Sequence, residues 1–275
     1  MTPASAARAT VGLAVPAPPR VWQLLAEARA PWEFGALLAA APWLTRAPAG
    51  DGHPVLVYPG LGASDLSTAP MRRFLRARGY TPYTWPAGRN LGPRDGVLEA
   101  CRTRLAEVAA RHSEPVSLVG WSLGGVFARE LAKERPQQVR CVVTLGSPFA
   151  GPARATHAWR FYEWASGRSA HDDTRRAGLR MPPPVPTTSV YSRHDGIVAW
   201  RCSLNDAAPQ AENVEVFGAS HLGLGVNPLA LYAVADRLAQ DPARWLPFDA
   251  RGARRWFFRT GVVADPTTHS APSEP

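Results

Sequence analysis

Residues 115–135 read PVSLVGWSLGGVFARELAKER, and no other stretch narrows the fold of this chain as far. A short apolar run (Val116, Leu118, Val119) stops at Gly120. Ser122 then sits at the centre of Gly120-Trp121-Ser122-Leu123-Gly124, and a run rich in Leu, Ala, Glu and Arg follows. The pattern predicts a strand, a tight turn and a helix. Glycine is needed on both sides of the serine because side chains there would strike the neighbouring strand or helix. Such a turn holds Ser122 out at the carboxyl edge of a sheet, with the Leu123 N–H at the start of the helix behind it.

Strands and helices alternate around this unit. Strands are expected over 55–58, 80–85, 116–119, 139–145, 187–191 and 214–217. Helices are expected over 69–78, 97–112 and 123–135, with a last one running to 239 that Asn227-Pro228 opens as N-cap and first-turn proline. Apolar strands bounded by helical patterns imply an α/β fold with a mostly parallel central sheet covered on both faces. The expected organisation is a disordered arm at 1–20, a helical extension at 21–50, a core at 51–245 and a partly disordered C-terminal segment at 246–275. An insertion at 150–186 interrupts the core. It carries Trp159-Arg160-Phe161-Tyr162-Glu163-Trp164, then His171-Asp172-Asp173 and a proline run, at the edge where a cap or lid would enter. Its aromatics have two readings, lining a pocket or docking the insertion on the core. The helices at 21–50 have three: an added layer, a dimer contact or a lipid-facing element.

Composition excludes several classes. A chain of 275 residues with 45% hydrophobic and 19% charged content is ordinary for a globular protein. The net charge of +9 comes almost wholly from scattered arginines, Lys133 being the sole lysine. Without a zinc-finger spacing, basic helix or RNA-recognition signature, no nucleic-acid partner is expected. Cys101, Cys141 and Cys202 lack metal-ligand spacing and read as buried free thiols, which favours a reducing, cytoplasmic setting. The N-terminus is a poor secretory signal, and no run is long enough to cross a bilayer. Peripheral membrane contact through 254–259, which reads RRWFFR, is the lesser reading beside packing of those aromatics on the core.

An activated serine needs a base, and the base needs an orienting acid. Asp195 follows the strand at 187–191, and His221 follows the strand at 214–217. Both therefore fall at the same sheet edge as Ser122, in the order Ser, Asp, His. His194 is the weaker candidate base, its side chain expected to point elsewhere. Asp172, Asp173 and Asp206 are competing acids, but none directly follows a clear strand. Two N–H donors for an oxyanion are expected from Leu123 and, in the glycine-rich loop Tyr58-Pro59-Gly60-Leu61-Gly62, from Leu61. Gly60, Trp121, Asn90, Phe149 and Leu222 are expected to line the substrate pocket. Ser147 reads as structural, since no base is placed for it. Nothing resembles a phosphate-cradling loop, and neither metal nor organic cofactor is required.

The segments VLVYPGLGAS, LVGWSLGG, VTLGSPF, VYSRHDGIV and GASHLGLGVNP together resemble the alpha/beta-hydrolase superfamily, near bacterial lipases and esterases with a compact core. The resemblance implies an alpha/beta-hydrolase fold with a short cap, Ser122 as nucleophile, Asp195 as acid and His221 as base. Where that family usually has His-Gly in the oxyanion loop, this chain has Pro59-Gly60. The implied activity is hydrolysis of small hydrophobic or lipid-like esters through an acyl-enzyme. Acyltransferase or thioesterase chemistry would use the same three residues, and a hydrolase-fold binding protein without chemistry is the reading from another class.

Overall fold

A computed structural model describes residues 16–169 and 178–261 of the chain. The expectations for 1–15, for His171, Asp172 and Asp173, and for 262–275 fall outside the described residues.

Seven strands form one sheet: β1 (Pro54–Tyr58), β2 (Thr81–Thr84), β3 (Val116–Trp121), β4 (Val139–Leu145), β5 (Thr187–Tyr191), β6 (Ala211–Val216) and β7 (Phe258–Thr260). Their spatial order is β2-β1-β3-β4-β5-β6-β7. All neighbours pair in parallel except β6 and β7, which run antiparallel. The chain steps outward from β1 to β2, then crosses back to lay β3 on the other side of β1. That reversal opens a crevice at the carboxyl ends of β1 and β3, the usual position of a site in an open parallel sheet. β2, the edge strand, tolerates Pro82, whose missing N–H an interior strand would need.

β1 is buried along its whole length, as expected of a strand covered on both faces. Its side chains alternate between two cores. Val55 and Val57 face α4 (Asp65–Ala77) and the last helix, Pro228–Leu238. Leu56 and Tyr58 face α5 (Val97–Ala109) and α6 (Leu123–Glu134). Asn227 caps the last helix as its sequence predicts, its side chain accepting from Leu229 N and Ala230 N.

Among the described residues, three short helices precede β1: α1 (Val21–Leu25), α2 (Ala30–Ala39) and α3 (Ala41–Leu44), with a 3-10 turn, Ala26–Arg29, after α1. Trp43 stacks on Tyr232 with ring centroids 5.2 Å apart, docking α3 on the last helix. Between β4 and β5 lies α7 (Trp159–Ser166); the helix Pro228–Leu238 is accordingly α8.

Three differences from the sequence reading have physical causes. α4 starts at Asp65 rather than 69 because Pro70 sits inside the helix instead of opening it. The arm expected at 1–20 is tied at its end, where His157 Nε2 meets Pro19 O at 2.9 Å. β7 was not expected, because its three residues lie in a segment dense in Arg and aromatics. Only Phe258 of that segment is buried, on Phe248 and Tyr232, while Trp256 and Phe257 stay exposed.

Candidate active site

β3 ends at Trp121, and α6 begins at Leu123. The one residue between them, Ser122, takes φ 53 and ψ −124, the sole positive φ outside glycine among the described residues. A bulky L-residue rarely accepts such a backbone, and its strain persists only where the surroundings fix it. Here Ser122 N–H donates to Leu145 O at 2.7 Å. A Cβ on Gly124 would collide with the Tyr58 carbonyl, and one on Gly120 with Gly125. Strand and helix thus pack backbone to backbone around the turn.

The strand ends bring the three sequence-predicted residues together. His221 Nε2 lies 2.9 Å from Ser122 Oγ, and His221 Nδ1 lies 2.6 Å from Asp195 Oδ2. The other Asp195 oxygen accepts from Ile197 N at 2.9 Å and Val198 N at 2.7 Å. With the carboxylate only accepting, Nδ1–H donates to it and Nε2 is left to accept the serine proton. Burial pulls the His221 pKa down, but the charge and hydrogen bond of Asp195, joined by the charge of Glu27, outweigh it and leave the imidazole above its ordinary value. Trp121 Nε1–H donates to His221 O at 3.0 Å and ties the elbow to the histidine loop.

Leu61 and Leu123 flank Ser122 at the edge of a cleft of about 470 Å³. Leu123 is the first residue of α6, so its N–H has no acceptor within the helix. The Leu61 loop is held by Asn90, whose Nδ2 donates to Pro59 O at 2.8 Å and whose backbone pairs with Gly62 N and Ala63 O. Val126 and Phe127 continue the cleft wall on the core side, and Trp159 and Tyr162 of α7 form the opposite wall. Phe161 and Trp164 of the same helix stack on each other at 5.7 Å, with Trp164 77% exposed. The aromatic run therefore neither lines the pocket as a whole nor docks as a whole; alternate residues do different things.

The residues expected to line the pocket lie around it instead. Asn90 is fully buried beneath the Leu61 loop. Phe149 is buried under the Arg129 guanidinium, which stands 3.6 Å from its ring. Gly60 packs against Ser122, Trp121 reaches His221, and Leu222 faces outward at 46% exposure. Adjacency in sequence to Ser122, His221 and β4 suggested Trp121, Leu222 and Phe149, and loops after strands at that edge suggested Gly60 and Asn90, whereas residues of α6 and α7 line the cleft. His194 is exposed with its N–H on Ser192, and Asp206 is exposed and paired with Arg180. Ser147 is buried against Gly125 of α6.

Sequence reading missed a second serine–histidine contact at the opposite edge of the sheet. His53, just before β1, places Nε2 2.9 Å from Ser117 Oγ and Nδ1 against Asp51. Burial lowers the His53 pKa more than the Asp51 hydrogen bond raises it. Asp51 is held at about 2 although burial alone would raise it, because His53 and Arg140 favour its charge. Ser117 is fully buried in β3, its Oγ also 3.3 Å from Cys141 Sγ. Among the described residues no group of three or more His, Cys, Asp and Glu side chains could hold a metal ion. None of the helices there is long and apolar enough to cross a membrane.

A sequence profile for the alpha/beta hydrolase fold matches residues 108–181, which include the Ser122 turn. No curated protein matches the chain. Among solved structures, lipase B of Aspergillus fumigatus is similar over 70% of this chain and 55% of its own, at 20% identity and a TM-score of 0.55. A monoacylglycerol lipase of Paleococcus ferrophilus is similar over 70% of this chain and 96% of its own, at 15% identity and a TM-score of 0.49. Mouse alpha/beta hydrolase domain-containing protein 10 covers 70% of this chain and 92% of its own, at 17% identity and a TM-score of 0.49. At 20% identity the likeness to lipase B speaks to fold alone, and that fold agrees with the profile. Its sheet order, its Ser122 turn and that profile match together show that the chain has the alpha/beta-hydrolase fold.

Proposed function

We propose that the protein is a serine hydrolase cleaving carboxylic esters of hydrophobic acids through an acyl-enzyme on Ser122. The observation that carries this reading is the unbroken chain from Ser122 Oγ through His221 to Asp195, ending at a cleft walled mainly by apolar side chains. His221 Nε2 takes the Ser122 proton as Oγ attacks the ester carbonyl carbon. Asp195 holds the tautomer and stabilises the imidazolium. The oxyanion accepts from the Leu61 and Leu123 N–H groups, each donor of this kind contributing about a hundredfold or more in rate. Collapse breaks the bond to the alcohol oxygen, which leaves with the proton held on His221. Water, giving its proton to His221, then attacks the acyl carbon and returns Ser122 to its hydroxyl form.

In this reading 51–245 is the catalytic core, 150–186 the cap, and 21–50 an extension of the core. The three cysteines are buried and form no disulfide among the described residues, which supports a reducing, cytoplasmic setting. Thioester hydrolysis or acyl transfer to another acceptor would use the same residues and differ only in products.

Ser117 has a comparable histidine contact, but it is fully buried in mid-sheet and does not border the cleft. Fluorophosphonate labelling with peptide mapping separates the two serines. The expected result is one adduct, on Ser122, that disappears in His221→Ala and persists in Ser117→Ala. An adduct on Ser117 would overturn the assignment, and no adduct at all would move the binding-protein reading to the front.

A further inference from the structure

Glu27 and Glu33 are the only acidic residues between 21 and 50, in a segment otherwise rich in Ala, Leu and Trp. Both are buried, at 5% and 8% exposure. A carboxylate removed from water needs partners, and an unpaired buried one costs several kcal/mol. Glu27 finds its partners in the two loops that carry the acid and the base. Its Oε1 accepts from Gly196 N at 2.7 Å, next to Asp195, and from His221 N at 2.9 Å. Its Oε2 accepts from Leu222 N at 2.9 Å. Glu33 braces the base loop from the other side, accepting from Ser220 N at 2.8 Å and Asn227 Nδ2 at 2.9 Å.

The rest of the extension grips the acid loop. Gln23 donates to Arg193 O at 3.0 Å, and Arg29 donates to His194 O at 3.1 Å. Both loops carry a glycine where the extension arrives. A Cβ on Gly196 would land on the Gln23 carbonyl, and one on Gly223 would land on the Glu33 carboxylate. The loops are thus shaped to receive this segment, and the carboxylate between them is satisfied by three peptide N–H groups rather than by a cation.

We propose that Glu27 is a positioning residue of the Ser122 site: its carboxylate locks the Asp195 loop to the His221 loop and sets the field around the imidazole. The proposal rests on the functional reading above and extends it to a segment that precedes the whole sheet. The charges acting on the His221 imidazole are those of Asp195, from the loop after β5, and Glu27, from the 3-10 turn, while Glu33 of α2 meets the base loop at Ser220 N and Asn227 Nδ2. Arg29 meets Glu33 at 3.4 Å, whereas Glu27 has no cationic partner among the described residues. Removing the Glu27 charge leaves Asp195 alone to hold the imidazolium, so His221 then gives up its proton at lower pH.

The test compares Glu27→Gln and Glu27→Asp with the wild-type protein. Two readouts are used: ester hydrolysis across pH, and the NMR titration of the His221 imidazole, which needs no turnover. In Glu27→Gln the acid limb of kcat/KM and the imidazole titration both move to lower pH, and kcat falls roughly tenfold with KM little changed. In Glu27→Asp the charge remains but the shorter side chain cannot reach both loops, so kcat falls while the limb stays with wild type. Should Glu27→Gln not fold, Glu27→Asp decides alone: reduced kcat with an unmoved limb supports the proposal, and unchanged kcat overturns it. A Glu27→Gln protein that loses thermal stability but titrates like wild type in both readouts also overturns it. Failure of the underlying reading is seen separately, as ester turnover that survives Ser122→Ala.

Discussion

Gly146 passes directly beneath the His221–Asp195 hydrogen bond: a Cβ there would stand 3.1 Å from both His221 Nδ1 and Asp195 Oδ2. Its φ of 56 lies in the left-handed region as well. Gly146→Ala therefore adds backbone strain of about 1 kcal/mol and wedges apart the pair that orients the base. We expect kcat to fall by about one to two orders of magnitude, with the fold retained. Steady-state kinetics beside a urea melt would show whether the loss is catalytic or merely one of stability.

The raised pKa of His221 fixes two opposite pH trends. Catalysis needs the neutral imidazole, so kcat/KM should rise with pH along a limb centred above 6.5, the ordinary imidazole value. Stability runs the other way. A group that titrates higher in the folded state contributes fully below its unfolded pKa, and that contribution is lost as pH rises through the folded pKa. Urea midpoints of wild type and His221→Ala should therefore converge as the solution is made alkaline, over the range in which activity appears.

Asp51 behaves in the reverse sense. Held at about 2 against an ordinary 3.8, it adds stability above the higher value that is lost as pH falls toward the lower. Asp51→Asn should flatten the acid side of the stability profile while leaving turnover at neutral pH unchanged. A profile identical to wild type below pH 4 would count against the Asp51–His53 pairing as a stabilising contact.

Ser117→Ala should cost about 1 kcal/mol, the net worth of one neutral hydrogen bond with its buried partner left behind. Ester hydrolysis should stay within about twofold of wild type, whereas Ser122→Ala should lose at least four orders of magnitude. The same assay on both variants distinguishes two serines that each touch a histidine.

Arg129 is fully buried in α6 and binds Asn205 Oδ1 at 2.6 Å and the carbonyls of Arg180 and Met181 at 3.3 and 3.2 Å. Burial brings its pKa down to about 10, still charged at neutral pH. Arg129→Ala leaves those acceptors unpaired beside a hole and should cost about 3 kcal/mol. Limited proteolysis should cut near residues 178–181 faster in the variant, and an unchanged cleavage rate would argue that other contacts hold this segment.

Much of this was legible in the sequence because it is local. Val116, Leu118 and Val119 stopping at Gly120, with a helical run beyond, specify the turn at Ser122 within a dozen residues. Asp195 and His221 could be placed beside Ser122 because each follows a strand of a parallel sheet, so strand direction alone brings them to one edge. What could not be read depends on side chains meeting across long separations. Glu27 and Glu33 lie among helix-forming residues, and their isolation in an apolar segment is the sole sequence signal of their burial. The lining of the cleft was hard to read for a related reason. Proximity in sequence to Ser122 or His221 placed Trp121 and Leu222 in it, whereas the direction in which α6 and α7 present their side chains decides the lining. The His53–Ser117 contact pairs the residue before one strand with the start of another, a register that only the sheet order reveals.

The Glu27 contacts span 169 to 195 residues of chain. During synthesis the segment that braces the site therefore leaves the ribosome before the sheet does and meets its receptors only after β6 and the loop beyond it have been made. Contacts of such separation carry a high loop-closure cost and form late. A refolding chain should accordingly regain its sheet before its chemistry, and a nascent one should be inert until the loop after β6 has been made.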